Sequence, residues 1–72
     1  AAQRLPARFT VTGVAQGDVL NLRERPSASA RILGTLQPGA TGVEVLETTP
    51  DGRWGLVPLR ERGAWASMRF LS

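Results

Sequence analysis

The sequence predicts an all-β domain, a small barrel of about five to six short antiparallel strands with one 3-10 turn near the C-terminus. Turn-forming residues recur about every 8–12 positions along the chain, as they do in small all-β folds. No segment keeps apolar residues at helical spacing for about three turns. With 72 residues, the chain is long enough for one domain, and closure into a barrel removes the open edges of its sheet.

Short segments of alternating polarity carry this prediction. We expect strands at residues 9–12, 19–23, 32–36, 43–47, 54–59 and 64–66, followed by the 3-10 turn at residues 67–69. We expect turns or loops at residues 13–18, 26–30, 38–39, 50–52 and 60–63. In the strand 54–59, Val57 and Leu59 are predicted to face the core, which leaves Trp54 and Leu56 on the opposite face.

The predicted domain boundary divides a flexible lead-in, residues 1–7, from a barrel over residues 8–72. The small residues at positions 1 and 2 resemble those beside signal-peptidase cleavage sites, so a trimmed secreted protein would explain this start. A boundary within a longer chain would explain it equally well. No apolar stretch approaches the roughly 18–20 residues of a membrane span, so none is predicted.

The charge pattern argues against nucleic-acid binding. The net charge is +3, and all nine cationic side chains are arginines. Six acidic residues interleave with them, as in the segments 23–25 and 60–62, so the surface is mixed rather than polycationic. RNA binding would require a continuous basic stripe with stacking aromatic residues. It is therefore the remote alternative.

Composition also disfavours catalysis. The chain contains no histidine and no cysteine, which excludes an imidazole base, a thiol nucleophile and metal sites built from these residues. Its acidic residues are scattered over turns and outward strand positions. The sequence therefore predicts a protein that is not an enzyme and that needs no cofactor.

Five segments, in order, resemble the bacterial SH3 (SH3b) family. DVLNLR (18–23) matches its LNxR strand, RPS (25–27) its Pro-Ser loop, and GTL (34–36) its GxL strand. In the second half, GRWGLV (52–57) matches its GxWxxV strand and AWASMRFL (64–71) its closing GWVxxxYL. The resemblance runs from about residue 11 to residue 71. It implies an SH3-like barrel and a peptide-like ligand, either a peptidoglycan stem or cross-bridge peptide or a partner protein. It also implies a periplasmic or secreted location at the cell envelope.

Three positions depart from that family pattern. Ala64 stands where the family usually has glycine, Ala66 replaces valine, and Phe70 replaces tyrosine. The first departure suggests that Gly63 takes the left-handed backbone of the turn. Ser67 stands where eukaryotic SH3 domains have a groove proline. Together with the lost tyrosine, this disfavours docking of polyproline segments.

Trp54 is the centre of the predicted ligand site, because a large aromatic side chain on the outer face of a small barrel suggests an interaction surface. The other predicted ligand-binding residues are Arg23, Arg25, Arg53, Leu56 and Phe70. Arginine suits such a site because its rigid fork binds carboxylates through two hydrogen bonds.

Each of these residues also has a structural explanation. Trp54 could pack on the Arg53 stem, on Leu56 or on the N-terminal segment. The arginines could pair with Glu24 or Asp51. Asn21, outward beside Arg23, could pin a neighbouring loop, and Trp65 is expected in core or rim packing. The sequence thus predicts a non-catalytic binding module. The alternative is a protein–protein docking or oligomerisation module within a larger assembly. The sequence does not predict the oligomeric state.

Overall fold

The computed structural model describes residues 4–72 and confirms the predicted fold class, a small SH3-like β fold. Over these residues the chain forms seven strands and one 3-10 helix: β1 (Ala7–Phe9), β2 (Leu20–Arg23), β3 (Ile32–Leu36), β4 (Val43–Val45), β5 (Glu47–Thr48), β6 (Trp54–Leu59), β7 (Arg62–Ser67) and the 3-10 helix (Met68–Phe70). The predicted strands at residues 32–36 and 54–59 have the observed bounds. The 3-10 helix begins one residue later than predicted.

Five of the strands form an antiparallel sheet in the order β3-β2-β7-β6-β5, while β1 and β4 pair separately. The C-terminus joins the two sheets, because Val11 bridges to Leu71. Beside this bridge, Thr10 and Ser72 exchange backbone hydrogen bonds of 2.9 and 3.0 Å. The last residues of the chain thus close the barrel against the segment that follows β1.

The core lies between the sheets and is built from alternate residues of each strand. Leu20 and Leu22 of β2 are buried, as the alternation of that segment predicts. On β7, Ala64 and Ala66 are fully buried. These small side chains face inward from the middle of the five-stranded sheet. The buried residues that pack together in this core within residues 4–72 are Phe9, Val11, Leu20, Leu22, Val43, Val45, Val57, Ala64, Ala66 and Leu71.

The first strand differs from the prediction. Residues 9–12 were expected to form it, whereas the observed strand is Ala7–Phe9. Beyond Phe9 the backbone bonds to several different partners, since Val11 donates to the Ala40 carbonyl and Thr12 donates to the Phe70 carbonyl, each at 2.8 Å. The expected burial of Phe9 and Val11 is nevertheless confirmed.

The predicted strand at residues 43–47 is divided at Leu46, because the chain changes partner there. Before Leu46, β4 pairs with β1, and after it β5 pairs with β6. The Leu46 amide donates to the Leu56 carbonyl at 2.8 Å. Leu46 therefore forms a corner between the two sheets, and its side chain is exposed.

The predicted lead-in overlaps the barrel. Strand β1 begins at Ala7, and Leu5 is half-buried and packs against the core. Residues 1–3 of the lead-in lie outside the described residues. The division of the chain into a lead-in over residues 1–7 and a barrel over residues 8–72 stays a prediction.

The β6–β7 hairpin turns at Arg60, not at Gly63. Arg60 has a φ of 57°, the one positive value at a non-glycine position within residues 4–72. The expectation that Gly63 takes the left-handed backbone is wrong, because Gly63 lies within β7. It is covered by Leu56, whose Cδ1 would be 2.5 Å from a Cβ at position 63. Ala64 lies in the same extended strand.

Candidate functional site

Trp54 opens β6, and the alternation of this strand turns its side chain away from the core. Gly55 and Val57 are buried, whereas Trp54 and Leu56 are half-buried and lie outside the core cluster. Directly across the hairpin, Trp54 pairs with Ser67 at the end of β7. The predicted orientation of Trp54 is therefore confirmed.

Hydrogen bonds from Thr49 and Asp51 hold the turn before Trp54. The Thr49 amide donates to the Trp54 carbonyl at 2.9 Å, and the Trp54 amide donates to Thr49 Oγ1 at 3.2 Å. Asp51 Oδ1 accepts from the Arg53 amide at 2.9 Å and from the Thr49 hydroxyl. Gly52 has a φ of 72°, which suits glycine. This network sets the direction in which Arg53 and Trp54 leave the turn.

Asp51 is the group whose ionisation this turn favours. The hydrogen bond from the Thr49 hydroxyl, and then that from the Arg53 amide, lower the pKa of the Asp51 carboxyl below its ordinary value of 3.8. Both bonds stabilise the ionised form. Because the folded-state pKa is the lower one, Asp51 stabilises the turn above pH 3.8 and loses this effect as the pH falls through the lowered value.

We expect replacement of Asp51 by alanine to loosen the turn at neutral pH and to shift the NMR signals of the Arg53 amide and the Trp54 indole. In the parent protein the same signals should move only under acid conditions, below the ordinary carboxyl range. That acid transition should be absent from the variant. Asp18→Ala is the matched control, since it removes the same charge from another exposed loop. Unchanged Trp54 signals in Asp51→Ala would contradict the role given to this carboxylate.

Trp54 separates two adjoining depressions, which we together call the Trp54 groove. One has a volume of about 270 Å³ and extends to the loop after β2, and the other has about 600 Å³ and extends to the β5–β6 turn. The residues that line the first are Val19, Leu20, Asn21, Arg23, Ala28, Trp54, Ser67, Arg69 and Phe70, and those that line the second are Gly52, Arg53, Trp54, Ser67, Met68 and Arg69.

The 3-10 helix forms one side of the groove. Its first amide, that of Met68, donates to the Arg53 carbonyl at 2.8 Å, which ties the helix to the start of β6. The Met68 side chain lies over Gly55, where an added Cβ would be 2.5 Å from its Sδ. At the far end of the helix, the Arg69 guanidinium carbon is 5.7 Å from the centre of the Phe70 ring. This distance is within the range of a cation–π contact.

Arg23 reaches the groove from β2. Its Nη1 donates to the Ala30 carbonyl at 3.0 Å, so the guanidinium holds the loop that follows the strand. Within residues 4–72 this is the one hydrogen bond that the guanidinium makes, out of five N–H donors that arginine carries. Asn21, on the same face, makes no side-chain hydrogen bond within residues 4–72, and the loop-pinning bond considered from the sequence is not present there.

The structure brings only part of the predicted site together. Trp54, Arg23 and Phe70 line one depression, and Arg53 lines the adjoining one. Leu56 lies farther along β6, where it lines a different depression with Leu46 and Pro58. Arg25 is exposed in the loop after β2 and does not line the groove.

Arg69 and Ser67 line the groove but were not among the predicted ligand-binding residues, although Ser67 had been matched to a groove position of eukaryotic SH3 domains. Ser67 could have been found from hairpin pairing, since it lies directly opposite Trp54. Arg69 could not, because its placement depends on the 3-10 helix folding back onto β6. The one sequence signal for it is its position next to Phe70. Trp65, which was expected in core or rim packing, is half-buried on the outer face opposite Leu56.

The groove is positively charged. Arg23, Arg53 and Arg69 surround Trp54, and no carboxylate of the described residues lines either depression. The nearby Asp51 accepts hydrogen bonds within its own turn. Guanidinium groups beside an aromatic wall suit a ligand with a carboxylate and an apolar portion.

A larger depression of about 690 Å³ lies at the opposite end of the barrel, beside the β6–β7 hairpin. It combines Arg60 and Arg62 with Glu61, so its charges partly compensate. Within residues 4–72, no cluster of acidic side chains has the composition of a metal site. No helix in the same part of the chain has the length and hydrophobicity to span a membrane.

A small barrel with an aromatic groove at one end of its sheet is typical of small β-barrel binding modules. Comparison with protein families agrees with this class, because the sequence model of the bacterial SH3 domain matches residues 18–72. The chain belongs to the bacterial SH3 domain family, a family of binding domains. The match begins after β1, so the strand that helps to close the barrel lies outside it. No curated protein matches the chain.

Proposed function

We propose that the protein is a non-catalytic binding module of the bacterial cell envelope, periplasmic or secreted, whose Trp54 groove binds a carboxylate-bearing peptide. Such a peptide would belong to peptidoglycan or to a partner protein. The observation that supports this function is the position of Trp54 between two depressions lined by Arg23, Arg53 and Arg69.

The chemistry of the groove favours this class of ligand. Trp54 offers an apolar face that a peptide side chain or backbone can cover. The three arginines supply charge-assisted hydrogen bonds to carboxylates, and the side-chain amide of Asn21 can pair with a peptide backbone. Peptidoglycan stem peptides carry several carboxylates within a short length, which matches arginines on both sides of one aromatic residue.

NMR titration of the labelled protein with a soluble muropeptide tests the proposal. Signals of Trp54, Ser67 and Arg69 should shift at about millimolar ligand or below, and amidation of the stem carboxylates should weaken the effect. Trp54→Ala should weaken binding by roughly tenfold or more, as removal of a central aromatic contact does. A titration without shifts near Trp54 would refute the cell-wall ligand.

Matched variants separate the groove from general electrostatic attraction. Arg53→Ala and Arg25→Ala remove the same charge, but only Arg53 lines the groove. We therefore expect weaker binding in Arg53→Ala and unchanged binding in Arg25→Ala. Equal losses in both variants would contradict binding in the groove, as would tighter binding of an RNA oligonucleotide than of the muropeptide. Either result would indicate general attraction of anions to a positively charged protein.

A further inference from the structure

A row of five residues crosses the outer face of the large sheet, one from each strand. Backbone pairing places Arg23 opposite Trp65, Trp65 opposite Leu56, and Leu56 opposite Glu47. On β3, Ile32 pairs with Arg23 just after a shift in the β2–β3 register. Residues paired directly across antiparallel strands point to the same face. We call these five side chains, in the strand order β3-β2-β7-β6-β5, the outer row.

The outer row leaves apolar surface uncovered. Trp65 and Leu56 are half-buried side by side at its centre, and neither belongs to the core cluster. The large hydrophobic side chains that are exposed within residues 4–72 are Ile32, at 48%, and Leu46, at 40%. Ile32 ends the row on β3, and Leu46 precedes Glu47 at the other end. Trp65 and Leu56 thus form an apolar centre, with Arg23 and Glu47 on either side, and apolar side chains left uncovered in this way suggest an interaction surface.

The order of residues in the outer row is self-complementary. Consider a two-fold axis that runs along the strands, between β7 and β6. It places β7 of one copy opposite β6 of the other, so that Trp65 faces Leu56 twice. It also places β2 opposite β5, which sets Arg23 against Glu47 at both ends of the contact. An interface that uses the same patch on both copies requires this kind of pairing.

We propose that the outer row is the contact surface between two copies of this chain in a two-fold symmetric dimer. Two Trp65–Leu56 contacts fill its centre, and two Arg23–Glu47 ion pairs flank them. The same axis brings the β3 edge of one copy, which carries Ile32, towards the β5 edge of the other copy, which Leu46 precedes. Arg23 keeps free N–H donors for this contact while it holds the Ala30 carbonyl.

The contact is small, so the dimer is a weak one. The strands from β2 to β5 span three inter-strand spacings, about 14 Å. A contact of this width buries less surface than a standard protein–protein interface does. The net charge of +3 on each copy opposes association. We therefore expect a monomer–dimer equilibrium that depends on concentration and weakens as salt screens the Arg23–Glu47 pairs.

Sedimentation of the protein without any peptide, from about 10 μM to about 1 mM, should show a shift from monomer to dimer. Arg23→Glu and Glu47→Arg should each lower the dimer fraction. In either homodimer, positions 23 and 47 then carry the same charge and repel each other at both ends of the contact. Arg8→Glu and Glu44→Arg carry the same charge changes on the β1–β4 pair. Both of these control variants should dimerise like the parent.

Mixing Arg23→Glu with Glu47→Arg gives the decisive result. In the mixed dimer, the glutamate introduced at position 23 of one copy would face the arginine introduced at position 47 of the other. At the opposite end of the contact, the native Glu47 would face the native Arg23. We expect the mixture to associate at least about tenfold more tightly than either variant alone. Arg23→Glu also removes the hydrogen bond to the Ala30 carbonyl. That loss persists in the mixture, so it cannot account for tighter association.

A parent protein that stays monomeric at the highest concentration would overturn the proposal. So would a mixture that associates no better than its components, since another surface would then hold the dimer. Because no peptide is present, either failure leaves ligand binding in the Trp54 groove untouched. Failure of the muropeptide titration, in turn, leaves this sedimentation result unchanged.

Discussion

Replacement of Leu22 by alanine is expected to lower the free energy of unfolding by about 2–5 kcal/mol. The Leu22 side chain is 1% exposed and is among the largest that are fully buried. It lies on β2, which is paired on both sides within the sheet, so its neighbours cannot readily collapse into the space left behind. Without cysteine the chain has no disulfide to offset the loss.

The size of the domain makes this loss severe. A chain of 72 residues has a total stability of roughly 4–11 kcal/mol at the usual value per residue. The variant would lose a large part of it, and its melting temperature would fall by about 4–8 °C for each kcal/mol. Thermal and urea unfolding, followed by circular dichroism, would measure the change.

Leu46→Ala is the matched control, because it removes the same atoms from an exposed corner. Its loss should stay within about 0.5 kcal/mol, as is usual for surface positions. Measurements at low protein concentration keep both variants monomeric. Equal losses at positions 22 and 46 would contradict the core described for this barrel.

The sequence predicts the parts of the fold that depend on neighbouring residues. Alternation within residues 19–23 and 54–59 indicates which side chains are buried, because successive residues in a strand face opposite sides. The strand division at Leu46 and the early start of β1 could not be predicted in this way. Both depend on which distant segment supplies the partner strand, and a periodic pattern contains no information about partners.

The same limit applies to the candidate site. Trp54, Arg23 and Phe70 line one depression in the structure. Strand parity predicts that Trp54 and Arg23 face outward, whereas Phe70 was included because of the family resemblance. Arg25 was included as part of a basic rim beside Trp54, but it lies beyond the end of β2 and is exposed in the loop that follows. Arg69 was missed because a 3-10 helix carries it back to the groove.

Replacement of Gly55 by alanine is expected to destabilise the protein by about 1–3 kcal/mol, although it adds one methyl group. Gly55 is buried in β6, and its Cβ would lie 2.5 Å from Met68 Sδ and 3.0 Å from Val45 Cγ1. Val45 is fully buried, and the close packing of protein interiors limits how far it can move. The Met68 side chain, which extends from the 3-10 helix, would have to move away from the added methyl group.

Gly34→Ala separates this steric effect from the general effect of replacing a strand glycine. Gly34 also lies within a strand, and its Cβ would meet Leu59 Cδ2 at 3.4 Å, an ordinary contact. Since alanine restricts the unfolded chain more than glycine does, this variant should be neutral or more stable by up to about 1 kcal/mol. Urea unfolding of both variants measures the contrast, and equal effects would contradict the close packing at Gly55.

The Gly55 substitution should also affect the Trp54 groove, because Met68 belongs to the helix that carries Arg69 and Phe70. An outward shift of that helix would stretch the hydrogen bond from the Met68 amide to the Arg53 carbonyl. In a Met68→Ala background the Sδ atom is gone, and Gly55→Ala should then cost less than it does alone. A residual cost would measure the contact with Val45, and complete additivity would show that Gly55 and the groove helix are not coupled.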